Sequence, residues 1–302
     1  MVSKAKKTTV NAEPANETEN DLEHLTKEQI EDAVVFSTDW TAETISAQLR
    51  KGAIDLDPAF QRRDAWSAER KSKFIESIIL GLPIPQIVLA ERKGEKGSFI
   101  VIDGKQRLLS IQKFTTDDGV NPPFALSGLK LRKDLNKVTY NELKSRIGDL
   151  RSFENQSIRT VIIRNWQKED VLYLIFHRLN SESLPLSPQE LRQALHPGPF
   201  LTFADKYSFD SLGLRRTLGR TQPDFRMRDV ELLVRLYAFA NFSPEYRGNL
   251  KDFLDDACEK LNAEWANKTD QLVQQAFEFE VGIRFSFEIF GRPFRKWDGH
   301  TF

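Results

Sequence analysis

The chain has a single cysteine, Cys258, which excludes an internal disulfide and suits a reducing cytoplasm. It has no net charge either, with 44 basic and 44 acidic residues. No overall field therefore draws it onto nucleic acid or a membrane, and any basic surface must be local. No apolar run approaches the roughly 18 residues needed to cross a bilayer. Lys4, Lys6 and Lys7 are followed by no apolar segment, so the N-terminus does not read as a secretory signal. The four histidines, His24, His177, His196 and His300, form no ligand pair at helical spacing. A G-x-x-x-x-G-K-[ST] loop, a Cys-x-x-Cys pair and a nucleophile elbow are all missing. What remains is the expectation of a soluble, cytoplasmic protein whose chemistry lies outside those motifs.

At 302 residues the chain can bury a sizeable core, in two domains or one large one. Its most informative stretch is S-F-I-V-I-D-G-K-Q-R-L-L-S-I-Q-K-F-T, residues 98–115. Phe99 to Ile102 is a short, β-branched apolar run and reads as a buried strand. Asp103-Gly104 favours a tight turn, because glycine tolerates positive φ. From Lys105 onward the apolar residues fall at helical spacing. The turn thus places a carboxylate, an amide and two cations at a helix N-terminus, where unpaired N–H groups hold anions, phosphates above all. Gly104 would let a ligand approach the backbone, Arg107 would fork onto phosphate oxygens after leaving the helix toward solvent, and Asp103 would hold a cation. The plain alternative is a strand–turn–helix link with a solvated polar corner, and spacing alone does not choose between the two.

The flanking pattern alternates strand and helix. Thr41 to Lys51 reads as a helix, Ile54 to Leu56 as a brief strand, and Ser67 as the cap of a helix reaching Leu80. Strands are expected at Gln86 to Ala90 and at Arg159 to Arg164, with a turn at Gly94 to Gly97. Lys71 and Lys73 are expected on a solvated helix face. Lys168 to Arg178 reads as a core helix. In the following segment Ser187, Pro188 and Glu190 form a helix start with a capping box. The remainder reads as helical, with Arg228, Asp229, Glu231 and Arg235 pairing along one helix and amphipathic helices over Asn249 to Leu261 and Thr269 to Phe290. Residues 1–35 are polar and read as a mobile tail. Nothing caps the sequence at Phe302, so a domain is expected to continue or to have a boundary there.

Four signals in order, Gln61-Arg62, Trp66, the I-L-G-L-P-I-P run over 79–85, and Asp103 to Arg107, resemble the N-terminal domain of GmrSD-type restriction enzymes. That family belongs to the ParB/sulfiredoxin-like superfamily. Lys105 stands where the family has a glutamine. The R-x-N at Arg178 and Asn180, the following P-L-S-P-Q-E-L run, and the R-M-R-D-V-E-L-L-V-R stretch from Arg226 are similar to further family motifs. The resemblance implies an α+β fold: a ParB/sulfiredoxin-like nucleotide-binding domain over residues 36–166, an all-helical domain over 167–302, and a nucleotide site in the cleft between them. It implies binding of a nucleoside triphosphate with Mg²⁺, and its hydrolysis, in a defence system against foreign DNA. Asp103, Gln106 and Arg107 are the catalytic candidates, with Asp103 on the metal. Gln61, Arg62, Gly104, Lys105, Arg107, Arg178, Asn180 and Arg228 are the nucleotide-binding candidates. No His-Asn-His nuclease region is present, so cleavage would fall to a partner effector or nuclease subunit. DNA contact would rest on local basic clusters at Arg62 to Lys73 and at Arg215, Arg216 and Arg220. A nucleotide-switched DNA-binding module with little turnover, and a non-catalytic interaction subunit, stand as alternatives.

Overall fold

A computed structural model describes residues 26–27, 30, 32–56, 65–116, 124–179 and 187–290. Its centre is a mixed five-stranded sheet made of β1 (Val34–Thr41), β2 (Ile54–Asp55), β3 (Ile87–Glu91), β4 (Phe99–Asp103) and β5 (Ser157–Arg164). The order is β1-β5-β3-β4-β2, with β3 parallel to β5, β2 parallel to β4, and the other neighbours antiparallel. The last strand in sequence therefore sits inside the sheet. The edge strand β1 has no counterpart in the sequence reading. Its Val34, Val35 and Phe36 are all exposed, so the apolar alternation that marks a half-buried strand is missing.

Both faces of the sheet are covered. Ile87, Leu89, Phe99, Val101, Ile158 and Ile162 point into one core. That core is closed by α1 (Ala42–Arg50), α2 (Ala68–Ile79), α3 (Lys105–Thr115), α4 (Tyr140–Leu143) and α5 (Ile147–Asn155). Val88, Ala90, Ile100, Ile102 and Ile163 point the other way. They meet α6 (Glu169–Leu179), α7 (Pro188–Leu195), α8 (Pro199–Asp210), α9 (Leu212–Thr217), α10 (Arg228–Phe242) and α11 (Leu250–Phe290). Period-two alternation along β3 and β4 thus feeds two cores, which is why these strands read as unbroken apolar runs. The expected caps are present, Ser67 on α2 and the Ser187–Glu190 capping box with Pro188 in the first turn of α7, while Thr41, read as the first residue of its helix, caps α1. The two C-terminal amphipathic helices form one element with a break in helical geometry at Lys268 (φ −127°, ψ 16°).

The helical layer holds a buried ionic network. Arg192 on α7 is fully buried; its Nε donates to Asp255 Oδ1 (2.6 Å) and its Nη1 to Gln189 Oε1 (2.9 Å). Lys251 Nζ lies 3.1 Å from Asp255 Oδ2 and 2.6 Å from Asp170 Oδ1, and sits over the Tyr173 ring. Burial disfavours its charge, but Asp255 and Asp170 hold it above the usual lysine range. One turn beyond Arg192, His196 lies between Glu169 (3.0 Å) and Glu259 (3.3 Å). Burial opposes the imidazolium here, yet Glu169, with Asp255 and Glu259, outweighs it and raises the pKa. A folded-state pKa above the unfolded value gives stability that is full below about pH 6.5 and lost as pH rises through the folded value. The urea midpoint should therefore fall across that window for the parent chain and stay flatter for His196→Gln. An unchanged slope in the variant would rule out His196 as the source.

Candidate functional site

The D-G-K-Q-R turn closes the C-terminal end of β4. On the neighbouring strand the pairing register shifts between Val88 and Leu89, and Val88 is the residue paired with Asp103. Such bulges bend a strand and re-aim the side chains beside it. Gly104 then takes φ +99°, a left-handed conformation that glycine adopts at little cost, and begins α3 with no side chain capping the helix. The first turn of α3 is therefore a helix N-terminus of the kind that can hold an anion.

Arg107 does not leave the helix toward solvent. It folds back over the turn: Nη2 donates to Asp103 Oδ2 (2.7 Å) and to the Gln86 carbonyl (2.8 Å), and the side chain is only 11% exposed. A Cβ on Gly104 would sit 3.1 Å from Ile87 Cγ1 and 3.3 Å from Arg107 Nη2. The missing side chain at 104 is what lets the protein's own guanidinium lie across the turn. Arg107 Nε is buried and has no hydrogen-bond partner among the described residues.

The remaining residues of the turn clamp it to the rest of the molecule. Gln106 Oε1 accepts the Trp66 N–H (3.1 Å), tying the turn to the segment that carries the tryptophan. Lys71 Nζ donates to the Trp66 carbonyl (2.7 Å) and is buried, so its place on a solvated face is corrected; Lys73 is exposed. Its position one turn into α2, facing back toward Trp66, takes it inward. Lys105 reaches the other way. It is buried and ion-paired with Glu190, whose second oxygen caps the Ser187 N–H (2.7 Å). The same carboxylate lies 3.8 Å from Arg226 Nε, and Ser187 Oγ donates to the Arg226 carbonyl (2.7 Å). Glu190 therefore joins the D-G-K-Q-R turn, the P-L-S-P-Q-E-L run and the start of α10. Sequence spacing shows it only as half of a capping box.

Gln61, Arg62 and Asn180 lie outside the described residues. Arg178 and Arg228 are exposed, one near the end of α6 and one opening α10, and it is Arg226 rather than Arg228 that approaches the Glu190 cluster. Asp103, Gly104 and Arg107 are brought together; Gln106 and Lys105 touch them through the backbone and point elsewhere. Among the described residues no group of three His, Cys, Asp or Glu side chains is placed to hold a metal ion. Arg215 is bonded to the carbonyls of Asp210 and Ser211, Arg216 stacks on Phe287, and Arg220 pairs with Asp224 (3.3 Å). No helix among the described residues is long and apolar enough to cross a membrane.

A family model described as GmrSD restriction endonuclease, N-terminal domain, matches residues 43–197, from the first turn of α1 to just beyond α7. The match takes in the D-G-K-Q-R turn and its Glu190 partner together. No curated protein and no solved structure matches the chain.

Proposed function

The chain belongs to the GmrSD restriction endonuclease N-terminal domain family, and from that premise we propose that it is the nucleotide-binding module of a defence system against foreign DNA, on a ParB/sulfiredoxin-like sheet. The observation that carries the proposal is Arg107. A buried guanidinium whose Nε has no partner among the described residues, beside a helix N-terminus that Gly104 leaves without a side-chain cap, has the donor set of a phosphate cradle. A triphosphate seated there would take the Arg107 fork and the first-turn N–H groups of α3. Mg²⁺, when bound, would neutralise phosphate charge. The donor set suits an ion that arrives on the phosphates and takes one protein oxygen, because Asp103 already shares Oδ2 with Arg107 and, among the described residues, belongs to no group of three metal-ligating side chains. By resemblance, Gln61, Arg62, Arg178 and Asn180 would join the cradle.

The same geometry favours a second reading, a switch that binds nucleotide with little turnover. Gln106, the residue that would orient an attacking water, already spends its carbonyl oxygen on Trp66. Nucleotide seated on Arg107 and the α3 N-terminus would bear on the Trp66 segment through that clamp, and this gives the switch a moving part. DNA contact would then rest on the exposed cluster of Arg70, which lies over the Trp66 ring, and Lys73.

Phosphate release separates the two readings. For an NTPase, Asp103→Asn should cut turnover with Mg²⁺ by about 100-fold or more while nucleotide affinity changes far less. A parent chain with no release above a buffer blank, with or without duplex DNA, would leave only the switch. Equal losses of turnover and affinity would show that Asp103 supports the turn without holding the metal.

A further inference from the structure

Residues 130–151 carry seven cations against three carboxylates, in a chain of zero net charge. All three carboxylates are engaged within the segment. Arg132 donates to Asp149 Oδ1 (2.9 Å) and Asp134 Oδ2 (2.8 Å), Arg146 Nη1 reaches the same Asp134 oxygen (3.2 Å), and Glu142 caps the Thr139 N–H (2.7 Å). Lys130, Lys133, Lys137 and Arg151 are exposed and have no ion-pair partner among the described residues. The loop that carries the three lysines is firmly held. Leu126, Leu129, Leu135 and Val138 are buried in the core beneath it. Asn136 ties its two arms, accepting the Leu129 N–H (2.9 Å) and donating to the Leu129 carbonyl (3.0 Å). Lys137 takes φ +71°, a left-handed backbone in which glycine or asparagine costs less, so a cation is kept there against local preference.

The same loop is fastened along α2. Ser72 Oγ accepts the Ser127 N–H (2.9 Å), and one turn on, Glu76 Oε1 accepts the Arg132 N–H (2.8 Å). At the start of α2, Gly128 leaves room for Glu69, whose Cγ would lie 2.8 Å from a Cβ at that position. The exposed Arg70 and Lys73 therefore flank the loop, and a line of cations runs from α2 across Lys130, Lys133 and Lys137 to Arg151 on α5. We propose that this line is a track for the phosphate backbone of duplex DNA. The inference rests on the reading of Arg70 and Lys73 as a DNA contact and extends it. A row of uncompensated cations on a held backbone is complementary to a polyanion of regular charge spacing, and contacts to phosphate need no base readout. Leu131 and Ile147, the exposed large apolar residues of the segment, are too few to form the apolar face on which a protein rests in an anionic membrane. The track begins beside Trp66, whose ring lies under Arg70 and whose N–H is held by Gln106 of the D-G-K-Q-R turn.

Fluorescence anisotropy of a labelled duplex with the full chain, from about 50 to 200 mM salt, tests the proposal. Six phosphate contacts should give the parent a slope of log affinity on log salt of about −5. The triple variant Lys130→Gln, Lys133→Gln, Lys137→Gln should bind at least about tenfold more weakly at 100 mM salt, with the slope reduced by about 2.7. Its melting temperature should match the parent's, because all three side chains are exposed. Lys206→Gln, Arg247→Gln, Lys268→Gln removes the same charge from exposed positions of the helical layer and should leave binding unchanged. A loop variant that binds like the parent, while Arg70→Gln, Lys73→Gln loses affinity, would overturn the track and leave the contact on α2 standing. A parent chain that binds no duplex at 50 mM salt would overturn both. Cosedimentation with phosphatidylserine vesicles but no binding to duplex would make the surface a lipid face and overturn the proposal as well.

Discussion

Glu190→Ala should destabilise the fold by about 3–5 kcal/mol. The carboxylate has two buried duties: one oxygen pairs with Lys105 and the other caps the Ser187 N–H. Both partners of the ion pair are less than a tenth exposed, so the substitution removes the charge that compensates a buried ammonium. Losing a buried partner costs far more than an intact pair contributes, because the surviving charge has lost its water as well. The lost cap adds about 1 kcal/mol. Glu190→Gln should cost less, since the amide oxygen can still accept from Ser187. The double replacement Lys105→Gln, Glu190→Gln should recover most of the loss, because two neutral amides of similar size carry no charge to desolvate. Urea unfolding of the parent, Lys105→Gln, Glu190→Gln and the double variant gives the coupling energy directly. Single effects that simply add, or a Glu190→Ala chain as stable as the parent, would show that the pair does not hold the turn to α7.

This pair also shows what was legible in the sequence and what was not. Local grammar was readable: Ser67 and Ser187 start helices because each side chain accepts an N–H three residues on. The Asp103-Gly104 turn was readable because left-handed backbone demands glycine. The partners of charged residues were not. Lys105 finds its carboxylate 85 residues away, and Arg192 finds Asp255 across 63; neither spacing leaves a periodic trace. Lys71 looked solvated because helical spacing reports which face a residue occupies and not what covers it. The exposed strand β1 carried no alternation, since it pairs along a single edge with β5. Arg107 was singled out for its guanidinium, but its return onto Asp103 and Gln86 depends on the placement of β3, which no motif encodes.

That return bears on the second large effect. Arg107→Ala should sharply reduce stabilisation by nucleotide. A charge-assisted contact to phosphate contributes about 1.5–3 kcal/mol, or roughly 10- to 100-fold in affinity. The variant also frees Asp103 from its partner, which places a carboxylate next to the phosphates and opposes binding further. Arg107→Lys keeps the charge but loses the planar fork and its Nε donor, so it should fall between the two. The ligand-free melting temperature of each variant serves as its own reference, because loss of the Asp103 and Gln86 contacts lowers stability independently of ligand.

Thermal melts of the parent, Arg107→Lys and Arg107→Ala chains with each of the four NTPs and Mg²⁺ put the central claim to the test. For the parent, nucleotide at 100 times its Kd should add about 2.7 kcal/mol of stability for at least one base. That increment should shrink in Arg107→Lys and fall to about 1.4 kcal/mol or less in Arg107→Ala at the same nucleotide concentration. A parent chain that no nucleotide stabilises, or an Arg107→Ala chain stabilised as much as the parent, would contradict the assignment of the D-G-K-Q-R turn as a nucleotide site.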